Sequence, residues 1–131
     1  MKVHEAMGRD VHIVRPGETI RKAAIIMSDF DIGMLPVAEG DRLVGVITDR
    51  DMAIRAISCG KGPDTLVRDV MSVEVDYCFE DEDTDHAART MALQQIRRLP
   101  VVNRDRRLVG ILSLGDLTLQ AAGPPSRQSR P

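Results

Sequence analysis

The chain has 131 residues, 43% of them apolar and 29% charged, a soluble-globular balance long enough to bury roughly 65 to 70% of the surface its unfolded form exposes. A formal net charge of −2, with Phe30, Tyr77 and Phe79 as the only aromatics, excludes both the basic footprint and the stacking platform that a nucleic acid needs. No apolar run approaches the roughly 20 residues that cross a bilayer, and Met1-Lys2-Val3-His4-Glu5 lacks an apolar signal core, so a cytoplasmic protein with no membrane partner is expected.

In chain order, Lys2 to Ala6 leads into Met7, and Val11 to Val14 is a short β-rich run stopped by Pro16-Gly17. Ile20, Ala23, Ala24 and Met27 then recur at helical spacing. Leu35 to Ala38 and Leu43 to Thr48 are β-type runs around the turn Glu39-Gly40-Asp41-Arg42, and Met52, Ala53, Ala56 and Ile57 mark a second helical stripe. Cys59 to Asp64, with Gly60, Gly62 and Pro63, reads as a linker. Leu66 to Val70 leads into Met71, after which the order returns. Val75 to Cys78 reads as strand, Thr84 to Leu93 as helix, Leu99 to Val102 and Leu108 to Ser113 as strands around Asn103-Arg104-Asp105-Arg106, and Leu114 to Ala122 as helix. The tail from Gly123 to Pro131 has almost nothing to bury and is expected to be disordered.

The return is a true internal repeat. A shift of 64 residues superposes Met7 on Met71, Val11 on Val75, Ala23, Ala24 and Met27 on Ala87, Ala88 and Met91, and Ile32, Leu35, Pro36 and Val37 on Ile96, Leu99, Pro100 and Val101. One extra turn residue makes the shift 65 for Leu43, Val44, Gly45 and Asp51, which match Leu108, Val109, Gly110 and Asp116. The expected architecture is α+β: two βαββα repeats, residues 1–62 and 63–122, packed as one pseudo-two-fold module and followed by the tail 123–131.

Gly33-Met34-Leu35-Pro36-Val37 with Arg42 to Met52, and Arg98-Leu99-Pro100-Val101-Val102 with Leu108 to Leu117, closely resemble the signature of CBS domains, named after cystathionine beta-synthase. The resemblance covers residues 3 to 122 and is similar to that of small bacterial proteins made of one CBS pair. It implies a module with two clefts between the repeats, homodimerisation through helices, and, in many members, adenosine-containing ligands such as AMP, ATP or S-adenosylmethionine. AMP or another adenosine nucleotide is then the candidate ligand, no cofactor is implied, and the protein partner is unknown.

The family's ligand motif is glycine, two apolar residues, Ser or Thr, two variable residues and Asp; Gly45, Thr48 and Asp51 match it, as do Gly110, Ser113 and Asp116. The chemistry suits a ribose diol, because an ionised carboxylate has two oxygens and only accepts hydrogen bonds. Thr48 and Ser113 stand at strand-to-helix junctions, where backbone N–H groups favour phosphate. By resemblance, backbone around His12-Ile13 or Tyr77-Cys78 grips the adenine, with walls from Leu35-Pro36 and Leu99-Pro100. Arg97 and Arg98 occupy the place where nucleotide-binding members often carry phosphate-binding basic residues; Gly33 and Met34 are their counterparts, and Arg50 has Gly115 as its own, so the two sites are not equivalent. Thr-x-x-Asp and Ser-x-x-Asp at a helix start are also the pattern of a capping box, and the two roles are compatible.

Other clusters read as structural. The acidic run Glu80 to Asp85 suits a first helical turn and has no glycine-turned calcium loop. Met7, Met27, Met34, Met52, Met71 and Met91 mostly occupy repeat-equivalent apolar positions and read as adaptable core filler before redox sensors. Cys59 and Cys78 lack metal-ligand spacing with His4, His12 or His86 and read as reduced thiols. No nucleophile pairs with a histidine, so an enzyme is not expected. The alternative to ligand sensing is a ligand-free interaction or dimerisation module.

Overall fold

The computed structural model describes residues 1–117, which form a mixed α+β fold divided into two compact units. The first unit comprises residues 12–75 with 106–108, and the second comprises 1–11, 76–105 and, of the described residues, 109–117. The units therefore cut the chain differently from the sequence repeats: each takes its leading segment from the other repeat. Among the described residues no helix is long and apolar enough to cross a membrane.

In the first unit, helix α2 (Ile20–Phe30) is started by Thr19, whose hydroxyl accepts from the Lys22 N–H, and ended by Asp31 in the left-handed conformation. Strands β1 (Met34–Glu39) and β2 (Arg42–Thr48) form an antiparallel hairpin in the register Met34 to Thr48, with Gly40 at φ 62° in the turn. Val14, Ile20, Ala23, Met27, Leu35, Val37, Ile47, Met52 and Ala56 pack together, and Val67 and Val70, from the start of the second repeat, complete this core. Full burial of each large side chain here contributes about 1.5 to 3 kcal/mol.

The second unit is built alike. Helix α1 (Val3–Ala6) precedes strand β3 (Cys78–Phe79), helix α4 (Thr84–Gln94), and strands β4 (Arg98–Val102) and β5 (Leu108–Ser113), with β4 central in a three-stranded sheet and β3 parallel to it. Val3, Ala6 and Met7 join Cys78, Ala87, Met91, Leu99, Val101 and Leu112 in its core. Residues 114–117 are helical; the remainder of the helix expected to Ala122, and the tail 123–131, lie outside the described residues.

The leading segments dock by the same bonds in both units. Val3 and His4 donate to the carbonyls of Glu82 and Glu80, at 2.8 and 2.9 Å, and Val67 and Arg68 donate to those of Glu18 and Pro16, at 2.8 and 3.0 Å. The turns that receive them are closed alike, by Glu18 accepting from the Arg15 N–H and Glu82 from the Phe79 N–H.

Three expectations need correction. The strands expected over Val11–Val14 and Val75–Cys78 shrink to a single parallel bridge, Val14 to Val37, and to Cys78–Phe79. The reason is proline: Val14 donates to the Pro36 carbonyl and accepts from Ala38, so extending this ladder backward would need a Pro36 N–H for the His12 carbonyl. In the second unit the register that pairs Cys78 with Val101 sets Pro100 opposite Tyr77, where it likewise has no N–H to give. On α2, Ala24 is exposed while Ile20, Ala23 and Met27 are buried. In the second helical stripe only Met52 and Ala56 are buried, whereas Ala53 is exposed and Ile57 is 72% exposed. After one α-helical turn, α3 (Asp49–Asp51), the backbone widens to a π-helix over Met52–Ala56 and tightens to 3₁₀ over Ile57–Cys59, so the 3.6-residue period does not hold.

Candidate functional site

Each of the three motif positions has a structural job in both units. Gly45 and Gly110 lie where a leading segment crosses the hairpin. Val46 and Ser72 exchange backbone bonds of 3.0 and 2.9 Å, and Gly8 and Ile111 exchange bonds of 2.8 and 2.9 Å. A Cβ on Gly45 would stand 2.8 Å from the Ser72 carbonyl and 3.0 Å from the Met71 sulfur; one on Gly110 would stand 2.5 Å from the Met7 sulfur and 2.8 Å from the Gly8 carbonyl. Only glycine lets these strands meet.

The other two positions form a complete capping box. The Thr48 N–H donates to Asp51 Oδ2 and the Asp51 N–H to Thr48 Oγ1, both at 3.0 Å. Ser113 and Asp116 repeat this at 3.1 and 3.0 Å. The capping reading is therefore realised twice, and it leaves ligand capacity: a carboxylate has about four lone-pair positions, of which the cap takes one. The box also fixes each Asp rotamer, so the remaining oxygen is held in place before any ligand arrives.

The surroundings of the two carboxylates differ. Asp51 Oδ1 lies 3.9 Å from Arg55 Nε, an i,i+4 ion pair. The Asp49 N–H donates to the Gly33 carbonyl, and the space over Gly33 is taken by the Asp49 carboxylate, 3.0 Å from where a Cβ would be. At the second junction the Leu114 N–H donates to the Arg97 carbonyl, which brings Arg97 next to the Ser113–Asp116 box. Arg97 is exposed and Arg98 half-buried, while Arg50 is exposed beside the first box.

Pro36 and Pro100 are buried, Ile13 is half-buried, and the His12 ring stacks on Phe30 with centroids 3.7 Å apart. Thus Ile13, Pro36, Thr48, Arg50 and Asp51 belong to one unit, and Cys78, Arg97, Arg98, Pro100, Ser113 and Asp116 to the other. Arg55, Asp49 and the docking role of the glycines escaped the sequence reading. Arg55 had a legible signal, its i+4 spacing from Asp51; the glycine contacts had none, because their partners lie 26 or more residues away and in the other repeat.

Cys78 is 2% exposed and its thiol lies 3.9 Å from the Pro100 carbonyl; burial first, and then the Glu82 charge, push its pKa up to about 12. Cys59 is exposed. Thiol reagents at pH 8 are expected to modify Cys59 alone in the native protein and both cysteines after unfolding in urea; rapid native labelling of Cys78 would show that this core opens. In the acidic run, Asp81 grips Arg104 through bonds of 2.7 and 3.0 Å, which hold its carboxyl below the usual range. Asp83 caps α4 by accepting from the Asp85 N–H at 2.9 Å, and that bond lowers its pKa too.

Comparison with known proteins agrees with this geometry. The profile of the CBS domain matches residues 3–56 and 67–122. The CBS domain-containing protein YhcV of Bacillus subtilis is 40% identical over 117 residues, covering 89% of this chain and 83% of YhcV. Among solved structures, CBSX2 in complex with AMP superposes with a TM-score of 0.81 at 28% identity, covering 92% of this chain and 96% of that one. The CBS domain pair of protein MJ0100, in complex with 5′-methylthioadenosine and S-adenosyl-L-methionine, superposes with a TM-score of 0.80 at 30% identity, covering 94% of this chain and 97% of that one.

Proposed function

We propose that this chain, which belongs to the CBS-domain family and is a regulatory ligand-binding module, binds adenosine nucleotides of the AMP or ATP kind at its two strand-to-helix junctions. The observation that carries this reading is the doubled capping box, which presents Asp51 and Asp116 as pre-oriented, under-used carboxylates. Each accepts ribose hydroxyls while remaining the cap. Adenine is gripped by backbone at His12-Ile13 and Tyr77-Cys78, beside Pro36 and Pro100. In support, Pro36 withholds the N–H that would have drawn the His12 carbonyl into the sheet, so that carbonyl stays available to a base edge. Thr48 and Ser113 hydroxyls, with Arg50 at the first junction and Arg97 and Arg98 at the second, bind phosphate. The adenosine ligands held by CBSX2 and MJ0100 support the same class.

The protein acts without catalysis, as a sensor whose ligand alters its association with a partner. A homodimer is part of the proposal, because Ile54 and Ile57, on the winding that follows Asp51, are 47% and 72% exposed. The reading in which dimerisation alone is the function rests on the same two side chains. A thermal-shift screen of AMP, ATP, NAD and S-adenosylmethionine separates them: a ligand at 100 times its Kd raises stability by about 2.7 kcal/mol, and no shift from any of the four at millimolar concentration would leave the dimerisation module.

A further inference from the structure

The first junction carries a connection that the capping box does not need. Arg55 sits on the π-helical turn Met52–Ala56, its Nε 3.9 Å from Asp51 Oδ1 and its Nη1 3.2 Å from the Met71 carbonyl and 3.5 Å from that of Val70. Those carbonyls belong to the segment that crosses Gly45. Val70 is 1% exposed in the core, the Met71 sulfur lies over Gly45, and Ser72 exchanges two backbone bonds with Val46. One guanidinium thus touches the carboxylate at the motif and the backbone of the docked segment. Asp51 has only 15% of its side chain exposed, so the nearby positive charge acts on it with reduced solvent screening. The residue equivalent to Arg55 in the second repeat is Gln120, an uncharged side chain, so the charged link is written only into the first.

We propose that Arg55 is a positioning residue that couples occupancy of the Thr48–Asp51 junction to the docking of Met71-Ser72 on β2. The inference rests on the nucleotide reading of that junction. When the segment is docked, its carbonyls hold the guanidinium, which in turn holds the Asp51 carboxylate oriented towards its ligand. When the segment lifts, Arg55 is released and Asp51 loses that support. Linkage makes the effect reciprocal: a ligand that prefers the supported carboxylate must strengthen docking by the same factor. Residues 66–75 are the last stretch of the first unit before the chain passes into the second at residue 76, so the device turns ligand binding into a change in the backbone that leads from one unit to the other.

Hydrogen exchange and calorimetry with AMP, on full-length protein carrying Asp116→Ala so that only the first junction binds, test the coupling. Adding AMP is expected to slow exchange at the Val46 and Ser72 amides and leave Gly8 and Ile111 unchanged. Arg55→Met is expected to weaken AMP about two- to fivefold, the effect of a part-exposed ion pair. It is also expected to abolish the AMP-dependent protection of Val46 and Ser72. Arg55→Lys, which keeps the charge but has no fork to span the Asp51 carboxylate and the segment's carbonyls at once, recovers affinity more than protection. Undiminished protection in Arg55→Met, or unchanged affinity, overturns the coupling while leaving the nucleotide reading intact. Failure of the Asp116→Ala protein to bind AMP at all overturns both.

Discussion

Replacing Gly110 with Ala is expected to destabilise the protein by about 1 to 3 kcal/mol, the usual cost of forcing a methyl group into filled space. The new Cβ would lie 2.5 Å from the Met7 sulfur and 2.8 Å from the Gly8 carbonyl. The thioether can swing aside, but the carbonyl belongs to a backbone held to Ile111 by two hydrogen bonds of 2.8 and 2.9 Å, so the segment itself must lift. Gly45→Ala is expected to cost about as much, because the Ser72 carbonyl is equally close at 2.8 Å and its segment is held to Val46 by two backbone bonds of 3.0 and 2.9 Å. Urea denaturation without ligand measures both. If the motif glycine served only to admit a ligand, neither variant would move the midpoint, and that outcome would remove the docking role assigned to these two glycines.

The second large effect is on binding. Asp51→Ala or Asp116→Ala is expected to weaken adenosine-nucleotide binding at its own junction by about 1.5 to 3 kcal/mol, the worth of hydrogen bonds to a charged group. Each also loses a cap, at about 1 kcal/mol of stability, so the fold persists. Asp→Asn separates the roles, since an Asn side-chain oxygen still accepts the Thr48 or Ser113 N–H while the charge is gone. In calorimetry, 2′-deoxy-AMP should bind the unaltered protein more weakly than AMP, and should lose much less than AMP does when the responsible Asp is removed. Equal affinities for AMP and its deoxy form, or no loss on either substitution, would leave both residues as helix caps and return the protein to a dimerisation module.

Much of this architecture is legible in the sequence, because an internal repeat states the same local pattern twice. The hairpins around Gly40 and Asn103, the buried faces of α2 and α4 at Ile20, Ala23, Met27, Ala87 and Met91, and the Thr48–Asp51 and Ser113–Asp116 pairs are set by contacts within about four residues or one turn. Pro36 and Pro100 are visible there too, yet their effect is not. A missing N–H shortens a strand only when the opposite strand and its register are known, and Val14 and Cys78 pair with Val37 and Val101 from 23 residues away.

Tertiary structure alone decided which leading segment completes which core. Val67 and Val70 finish the first unit's core, and Val3, Ala6 and Met7 the second's. Val3 and Val67 are equivalent under the repeat, so the pattern of apolar residues is the same whichever unit each joins. Only the path of the chain through space breaks that tie. The same holds for the motif: spacing shows glycine, hydroxyl and carboxylate at fixed intervals, but the backbone crossing Gly45 and Gly110, and the reach of the Arg55 guanidinium to the Met71 carbonyl, are long-range contacts that a one-dimensional pattern does not contain.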